Sequence, residues 1–551
     1  MKPIYKYLMG TALSLSFWAC DIERTPYDGL TPDKVISTPD GINLAVAGNY
    51  SLLKAWSENW HRIFEYPGDN VALSGTTTDN LFFIYNYRRI PNNSRVDAFW
   101  RSSYRIIVGV NQVLGATKEG TSADMDQQLG ESYYLRGLMH FQMVCAFGKP
   151  YAQGRDNPGV PLKLDADALN YPTRSKVGEV YDQVEKDLLK AESLMKVEKT
   201  NVYVSKGAIW ALLSRLYLYK EDNAKALEYA NKVINSGKYS LLNTEQLPDY
   251  PKFAPENNSE TIFAIKYVLN TDYANSDNGY STVGSMYATI NGSGWGELYA
   301  SRPYLELIRK FPEDVRNKFI SPLADSDFPD VTWAVYTVLS KGSYQYKETE
   351  VTKQGDDYVY QDNGTKMLEK VSNGRGGFDY FINTTDGRKT VLIDKKMAVR
   401  GGYPKYFILK CSGQEGQAQL WSPVISRLAE MYLNRAEANA KLGKNTDALA
   451  DVNLIRKRAG IPASGWFTEA TLPAGMSVLD VVLQERRLEL AYEGHRKMDV
   501  FRNKLPMDRR YPGTHQTGTA DDVIDWKSNV IVEFLPESQT LVQPGLVQNP
   551  N

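Results

Sequence analysis

Apolar residues recur at spacings of three and four along much of this chain, the pattern of helices that bury one face. That spacing predicts helices near 38–56, 97–117, 129–148 and 177–194, two within 204–237, two within 424–460, and one over about 477–501. The stretch from about 238 to 420 reads differently. It is rich in Gly, Asn, Asp, Ser and Tyr, with short β-like runs such as TIFAIKYV and YFILKC. Turn residues recur there every few positions. The expectation is a mainly α single domain over 38–551. Its helical scaffold spans about 38–237 and 421–505, and an irregular, loop-rich insertion with short strands fills about 238–420.

The helices fall into pairs. Residues 204–237 have the 34-residue length of a tetratricopeptide unit, and Trp210, Leu213, Ser214 and Tyr217 keep the spacing of its first helix. Ala226, Ala230 and Val233 follow at the spacing of the second. Small Ser214 and Ala226 let the two helices approach, and Trp210 and Tyr217 are expected to be buried between them. Residues 424–460 repeat the plan, with Tyr432, Ala436, Ala448, Val452 and Ile455 in equivalent places. A looser unit pairs 129–148 with 177–194, and the insert between them carries GVPL at 159–162.

The start of the chain has another character. Lys2 and Lys6 precede an apolar run from Tyr7 to Trp18, too short to span a bilayer as a helix. Ala19 then precedes Cys20, and the acidic, Pro-containing DIERTP follows. This order predicts a lipoprotein signal over 1–19, cleaved to leave an acylated Cys20 and a tether over 20–37. Acyl chains hold a protein to a membrane because each buried methylene contributes about 0.8 kcal/mol.

Composition narrows the function. A net charge of −1 without a basic block argues against nucleic-acid binding, which needs clustered Lys and Arg. Beyond Cys20 there are Cys145 and Cys411, each in an apolar run, which favours two separate buried thiols over a disulfide. Four histidines form no H-E-x-x-H pair, and G-x-S-x-G, P-loop and C-x-x-C patterns are missing from the sequence. His140 and His495 lie within predicted helices and read as structural. No catalytic residue, metal site or cofactor is expected.

The segment ERRLELAYEGHRKMDVFR at 485–502 carries the densest charge. Glu485, Glu489 and Glu493 share one helical face, with Arg486, Arg487 and Arg496 as candidate partners. Paired carboxylates also serve glycosidases, but carboxylates at helical spacing among arginines read as an ion-pair network. Gly494 within the run either permits close packing or ends the helix.

Together with Cys20 and its acidic flank, GVPL, RLAEMYLNRAEANAKLG at 427–443 and NLIRKRAG at 453–460, this segment resembles the SusD/RagB outer-membrane nutrient-binding lipoproteins of Bacteroidetes. The likeness runs through the mature chain and is weakest over 238–420. It implies a tetratricopeptide-like scaffold of four helix pairs. It also implies a surface-facing lid over a TonB-dependent (SusC-like) outer-membrane transporter, capturing an oligosaccharide or polysaccharide. A lid for a non-glycan nutrient such as peptide, or a mainly structural partner of the transporter, are the other roles compatible with that likeness.

Sugar recognition needs flat aromatic faces for C–H surfaces, and amides, carboxylates and Arg for hydroxyls. Two stretches supply both. Residues 66–89 set Asp69, Asn70, Asp79 and Asn80 beside Phe83 and Tyr85. Residues 285–303 place Trp295 and Tyr299 on a Gly-rich loop with Asn291. The candidate ligand-binding residues are Asp69, Asn70, Tyr85, Trp295, Tyr299, Arg400 and Tyr403, with Trp295 stacking on a ring and Asp69 and Asn70 bonding its hydroxyls.

Overall fold

The computed structural model describes residues 36–551 except 75–79, 168, 270, 273–282, 374–376 and 517–521. The signal, Cys20 and Asp79 therefore lie outside the described residues. Six long helices build the first scaffold segment among the described residues: α1 (Pro39–Glu65), α2 (Ser94–Ala116), α3 (Ala123–Phe147), α4 (Val177–Leu194), α5 (Lys206–Tyr219) and α6 (Asn223–Asn235). Their starts are marked by capping side chains. Thr38, Asn93, Ser122, Ser205 and Asp222 each accept a first-turn backbone N–H. Such a cap satisfies a donor that the helix itself cannot.

The insertion carries α7 (Arg302–Ile308), and the second scaffold segment holds α8 (Leu428–Lys441), α9 (Asn445–Arg458), α10 (Val478–Glu489) and α11 (Arg496–Arg502). Four pairs result: α1 with α2, α3 with α4, α5 with α6, and α8 with α9. Helix α6 packs on α8, so the pairs form one array although the insertion separates them in sequence. At the α5–α6 crossing Ser214 Oγ donates to the Ala226 carbonyl at 3.0 Å, the close approach that small residues permit. Tyr217 is buried there and stacks on Tyr229, centroids 5.5 Å apart. Trp210 is not fully buried. It packs against the core edge and its Nε1 donates to Glu192 at 2.7 Å, an outward contact that helical spacing could not show.

The region between α6 and α8 is more ordered than its turn-rich composition predicts. It contains a seven-stranded antiparallel sheet of β1 (Thr332–Ser340), β2 (Ser343–Gln354), β3 (Asp357–Gln361), β4 (Thr365–Met367), β5 (Glu369–Ser372), β6 (Phe378–Thr384) and β7 (Gly387–Lys395). Their order is β4-β3-β2-β1-β7-β6-β5. One small core of Ala334, Val351, Tyr360, Leu368, Ile382 and Val391 supports it. Two short ladders tie the insertion to the scaffold. Thr261–Ala264 pairs with Val424–Arg427, and Val71–Leu73 pairs with Leu298–Ala300.

The helix expected over 477–501 is broken. Helix α10 ends at Glu489, and the chain turns through Tyr492 (φ +66°) and Gly494 (φ +76°) before α11. Buried Glu65 at the end of α1 accepts the N–H of Tyr492 at 3.2 Å and of Gly494 at 2.8 Å. These bonds satisfy donors that the break frees, and they stitch α1 to the C-terminal motif. Burial pushes the Glu65 carboxyl up to about 7, partly offset by those two N–H groups.

The three motif glutamates form the expected ion-pair network, but with different arginines. Arg427 reaches Glu489 at 2.7 Å, Glu493 at 2.8 Å and Glu260 at 3.1 Å. Arg458 bridges Glu260 and Glu489, and Arg316 bridges Glu485 and Glu489. Arg486 instead pairs with Asp499 and Glu437, while Arg487 and Arg496 pair with Asp69. Burial raises the Glu493 carboxyl, but Arg427 and Lys410 outweigh it and hold the group at about 2. These carboxylates are consumed by cations inside the protein, which is the reverse of a free acid–base pair across a sugar.

Cys145 and Cys411 are both buried and unpaired. All four histidines are buried, and burial pushes each imidazole down, to about 3 for His61 and His140. The unfolded chain regains ordinary histidines near 6.5, so below that pH it binds protons that the folded protein refuses. Glu65, Glu533 and Asp451, raised by burial, oppose this more weakly because they are fewer. Stability should therefore fall as pH drops from 7 to 5, by about 1.4 kcal/mol per net proton per pH unit. Urea midpoints across that range test it, and a flat or rising profile contradicts neutral burial of the histidines.

Candidate functional site

Trp295 sits just beyond a tight hairpin. Ile290 and Ser293 exchange backbone hydrogen bonds of 2.8 and 3.0 Å around Asn291 (φ +52°) and Gly292 (φ +79°). An Asn-Gly pair suits such a turn because both positions need positive φ. Gly294 follows at φ +98°, where an added Cβ would lie 2.3 Å from the Ala288 carbonyl oxygen. Buried Gln419 donates to the carbonyls of Ala288 and Ser293 and braces the loop from below. The N–H groups of Trp295 and Gly296 both donate to the Ser285 carbonyl. The indole is thus held on a fixed backbone with 40% of its surface exposed.

A second tight hairpin lies beside the first. Val399–Arg400 pairs with Tyr403–Pro404 around Gly401 and Gly402, both at positive φ. Exposed Arg400 donates through Nη1 to the Trp295 carbonyl at 3.1 Å, which links the two hairpins. Tyr403 is half-buried against Ala288, Tyr299 and Phe407. Burial raises its hydroxyl to about 12, so it stays neutral and can donate or accept. The buried Arg62 guanidinium lies 5.9 Å from the Trp295 ring centre and is paired with Glu58 at 2.7 Å. Arg62 sits on α1, where its helical context gave no sign of a role near the loop.

The other candidates take supporting places. Tyr299 is buried and meets the edge of Phe407, centroids 5.7 Å apart. Tyr85 is also buried, its hydroxyl 2.9 Å from His515 Nδ1 and its ring under the Arg509 guanidinium. Asp69 and Asn70 are buried as well. Asp69 is 4% exposed, and Arg496 donates to both its carboxylate oxygens at 2.6 and 2.9 Å. Arg487 adds an ion pair at 3.3 Å and donates from Nε to Asn70 Oδ1. Burial alone pushes the Asp69 carboxyl up, but Arg487 and Arg496 outweigh it and hold it well below the usual range. In this arrangement the Asp69 carboxylate and the Asn70 side-chain carbonyl are held by Arg487 and Arg496 inside the protein rather than presented to solvent beside Trp295. Tyr85 and Tyr299 are likewise buried.

The two predicted loops do meet. Ala72 faces Tyr299 across the Val71–Leu73/Leu298–Ala300 ladder, which joins the first stretch to the second. Of the candidate residues, Trp295 and Arg400 are exposed and Tyr403 is half-buried.

The sequence profile of the SusD family matches residues 259–551, just over half of the chain. The chain belongs to the SusD family. A second profile, described as starch-binding associating with outer membrane, matches residues 45–218. Among SusD-like relatives, the starch-binding protein SusD of Bacteroides thetaiotaomicron is 26% identical over 476 residues, covering 81% of this chain and 77% of the relative. SusD-like protein P2 of Formosa agariphila is 23% identical over 518 residues, covering 90% and 89%. A SusD superfamily crystal structure from Bacteroides thetaiotaomicron superposes with a TM-score of 0.72 at 23% identity, covering 95% of this chain and all of that one. The helical scaffold described above is therefore the SusD fold, with the β1–β7 sheet carried in its insertion.

Proposed function

We propose that this protein captures an oligosaccharide or polysaccharide at the cell surface and acts as the lid of a TonB-dependent outer-membrane transporter. The observation that carries the reading is Trp295, an indole braced by two hairpins yet exposed, with the Arg400 guanidinium bonded to its carbonyl and Tyr403 on the same neighbouring hairpin as Arg400. The indole face suits a sugar's C–H surface, and Arg400 and Tyr403 suit its hydroxyls. Family membership supports it, since one relative is named a starch-binding protein and one matching profile is described as associating with outer membrane.

Such an open patch desolvates few groups, so affinity per sugar is low and a longer ligand or enclosure by the transporter supplies the rest. Screening the protein against immobilised polysaccharides and peptides tests the ligand class. Retention by a polysaccharide supports the reading, and retention by peptides alone overturns it. Co-purification of the transporter from detergent-solubilised membranes tests the lid.

Lipid anchoring at Cys20 belongs to the same proposal. Cys20→Ala should move the protein from the membrane pellet into the soluble fraction. An unchanged membrane pool in that variant contradicts the anchor.

A further inference from the structure

A second cleft shares no residue with the Trp295 patch. It has a volume of about 470 Å³ and lies between α2, the segment 161–172 and the end of the chain. Its volume falls in the range of small-ligand pockets, and its wall has their composition of apolar rings with a few polar groups. Three aromatic rings line it: Trp100 and Tyr104 from α2, and Tyr171 opposite. Trp100 and Tyr104 are fixed, their rings 5.0 Å apart and the Tyr104 hydroxyl donating to the Pro161 carbonyl at 2.8 Å. Tyr171 is 58% exposed. Its carbonyl accepts from Gln543 Nε2 at 2.7 Å, which ties this wall to the C-terminal segment.

The charge of the cleft is one-sided. Arg101, Arg105 and Lys163 line it, and no Asp or Glu does. Lys163 is turned away, its ammonium held by Asp165 and two backbone carbonyls. Arg101 is paired with Asp97 at 2.8 Å but keeps a largely exposed side chain. Arg105 is exposed and has no hydrogen-bond or ion-pair partner among the described residues. A fork of guanidinium donors beside aromatic faces selects a planar-faced ring that carries an anion, because Arg binds carboxylates with paired N–H groups.

We infer that this cleft is a second binding site, taking a ring that bears a carboxylate, with Arg105 on the carboxylate and Tyr171 against the ring. The inference rests on the cleft's own geometry and stands whether or not Trp295 binds glycan. Two sources share this chemistry, a uronic-acid sugar and an aromatic carboxylic acid.

Calorimetric titration with methyl β-D-glucuronoside, methyl β-D-glucoside and 4-hydroxycinnamate tests it. The full mature protein is compared with Arg105→Gln, Tyr171→Ala and Trp295→Ala, all at exposed positions that leave the core intact. At least one of the two carboxylates should bind at least tenfold more tightly than the neutral glucoside. That binding should weaken at least tenfold in Arg105→Gln and at least threefold in Tyr171→Ala, and stay unchanged in Trp295→Ala. Which carboxylate does so identifies the source. The inference is overturned if neither carboxylate binds, if the neutral glucoside binds equally well, or if Arg105→Gln and Tyr171→Ala bind like wild type.

Discussion

Arg427→Met should destabilise the protein by about 3–5 kcal/mol, the cost of breaking a buried ion pair by removing one partner. Arg427 is 2% exposed and joins Glu260, Glu489 and Glu493. It also donates to the Glu489 carbonyl at 2.7 Å, at the point where α10 ends. Methionine fills similar space but leaves Glu493 with Lys410, and Glu489 and Glu260 with Arg458 and Arg316, to carry the charge. Arg427→Lys keeps a charge but loses the fork, and should fall between the two. Urea unfolding of the three proteins measures this. A loss under about 1 kcal/mol for Arg427→Met shows that the remaining cations suffice.

Asp69→Ala should cost about 3 kcal/mol or more while leaving ligand binding at Trp295 unchanged. The substitution removes the carboxylate between Arg487 and Arg496 and leaves two guanidinium groups facing one another. Their side chains are only 14% and 16% exposed, so solvent relieves little of that repulsion. A ligand-contacting Asp69 predicts the opposite pattern, with binding lost and stability kept. Thermal melts and titration on the same preparation separate the two.

The helical scaffold was legible because its information is local. Periodic apolar positions set the α4 bounds at 177 and 194, and small residues at Ser214 and Ala226 marked a close crossing before any contact was known. The sheet was hidden because β2, SYQYKETEVTKQ, keeps only Val351 fully buried. A strand solvated on most of both faces lacks the alternation that marks a half-buried one. Gly494 offered an end to the helix as one of two alternatives, but the break could not be placed after Glu489 because its stabilising partner, Glu65, lies more than 400 residues earlier.

The site divides along the same line. The exposure of Trp295 was legible from an aromatic on an Asn- and Gly-rich turn, where Asn291, Gly292 and Gly294 adopt positive φ. The burial of Asp69 and Asn70 was not legible, because polar residues beside aromatics look alike whether they face solvent or a distant arginine. Their partners, Arg487 and Arg496, lie within the motif already recognised as an ion-pair network, which assigned them to the wrong carboxylates.

The central claim is that an exposed indole, braced by two hairpins, is where this SusD-family protein holds a sugar. Calorimetric titration of wild type and Trp295→Ala with an oligosaccharide of the polysaccharide that retains the protein tests it most directly. The account predicts binding weakened by about 1 kcal/mol or more, roughly fivefold, with an unchanged melting temperature. Equal affinity in the two proteins would place the site elsewhere and contradict the account.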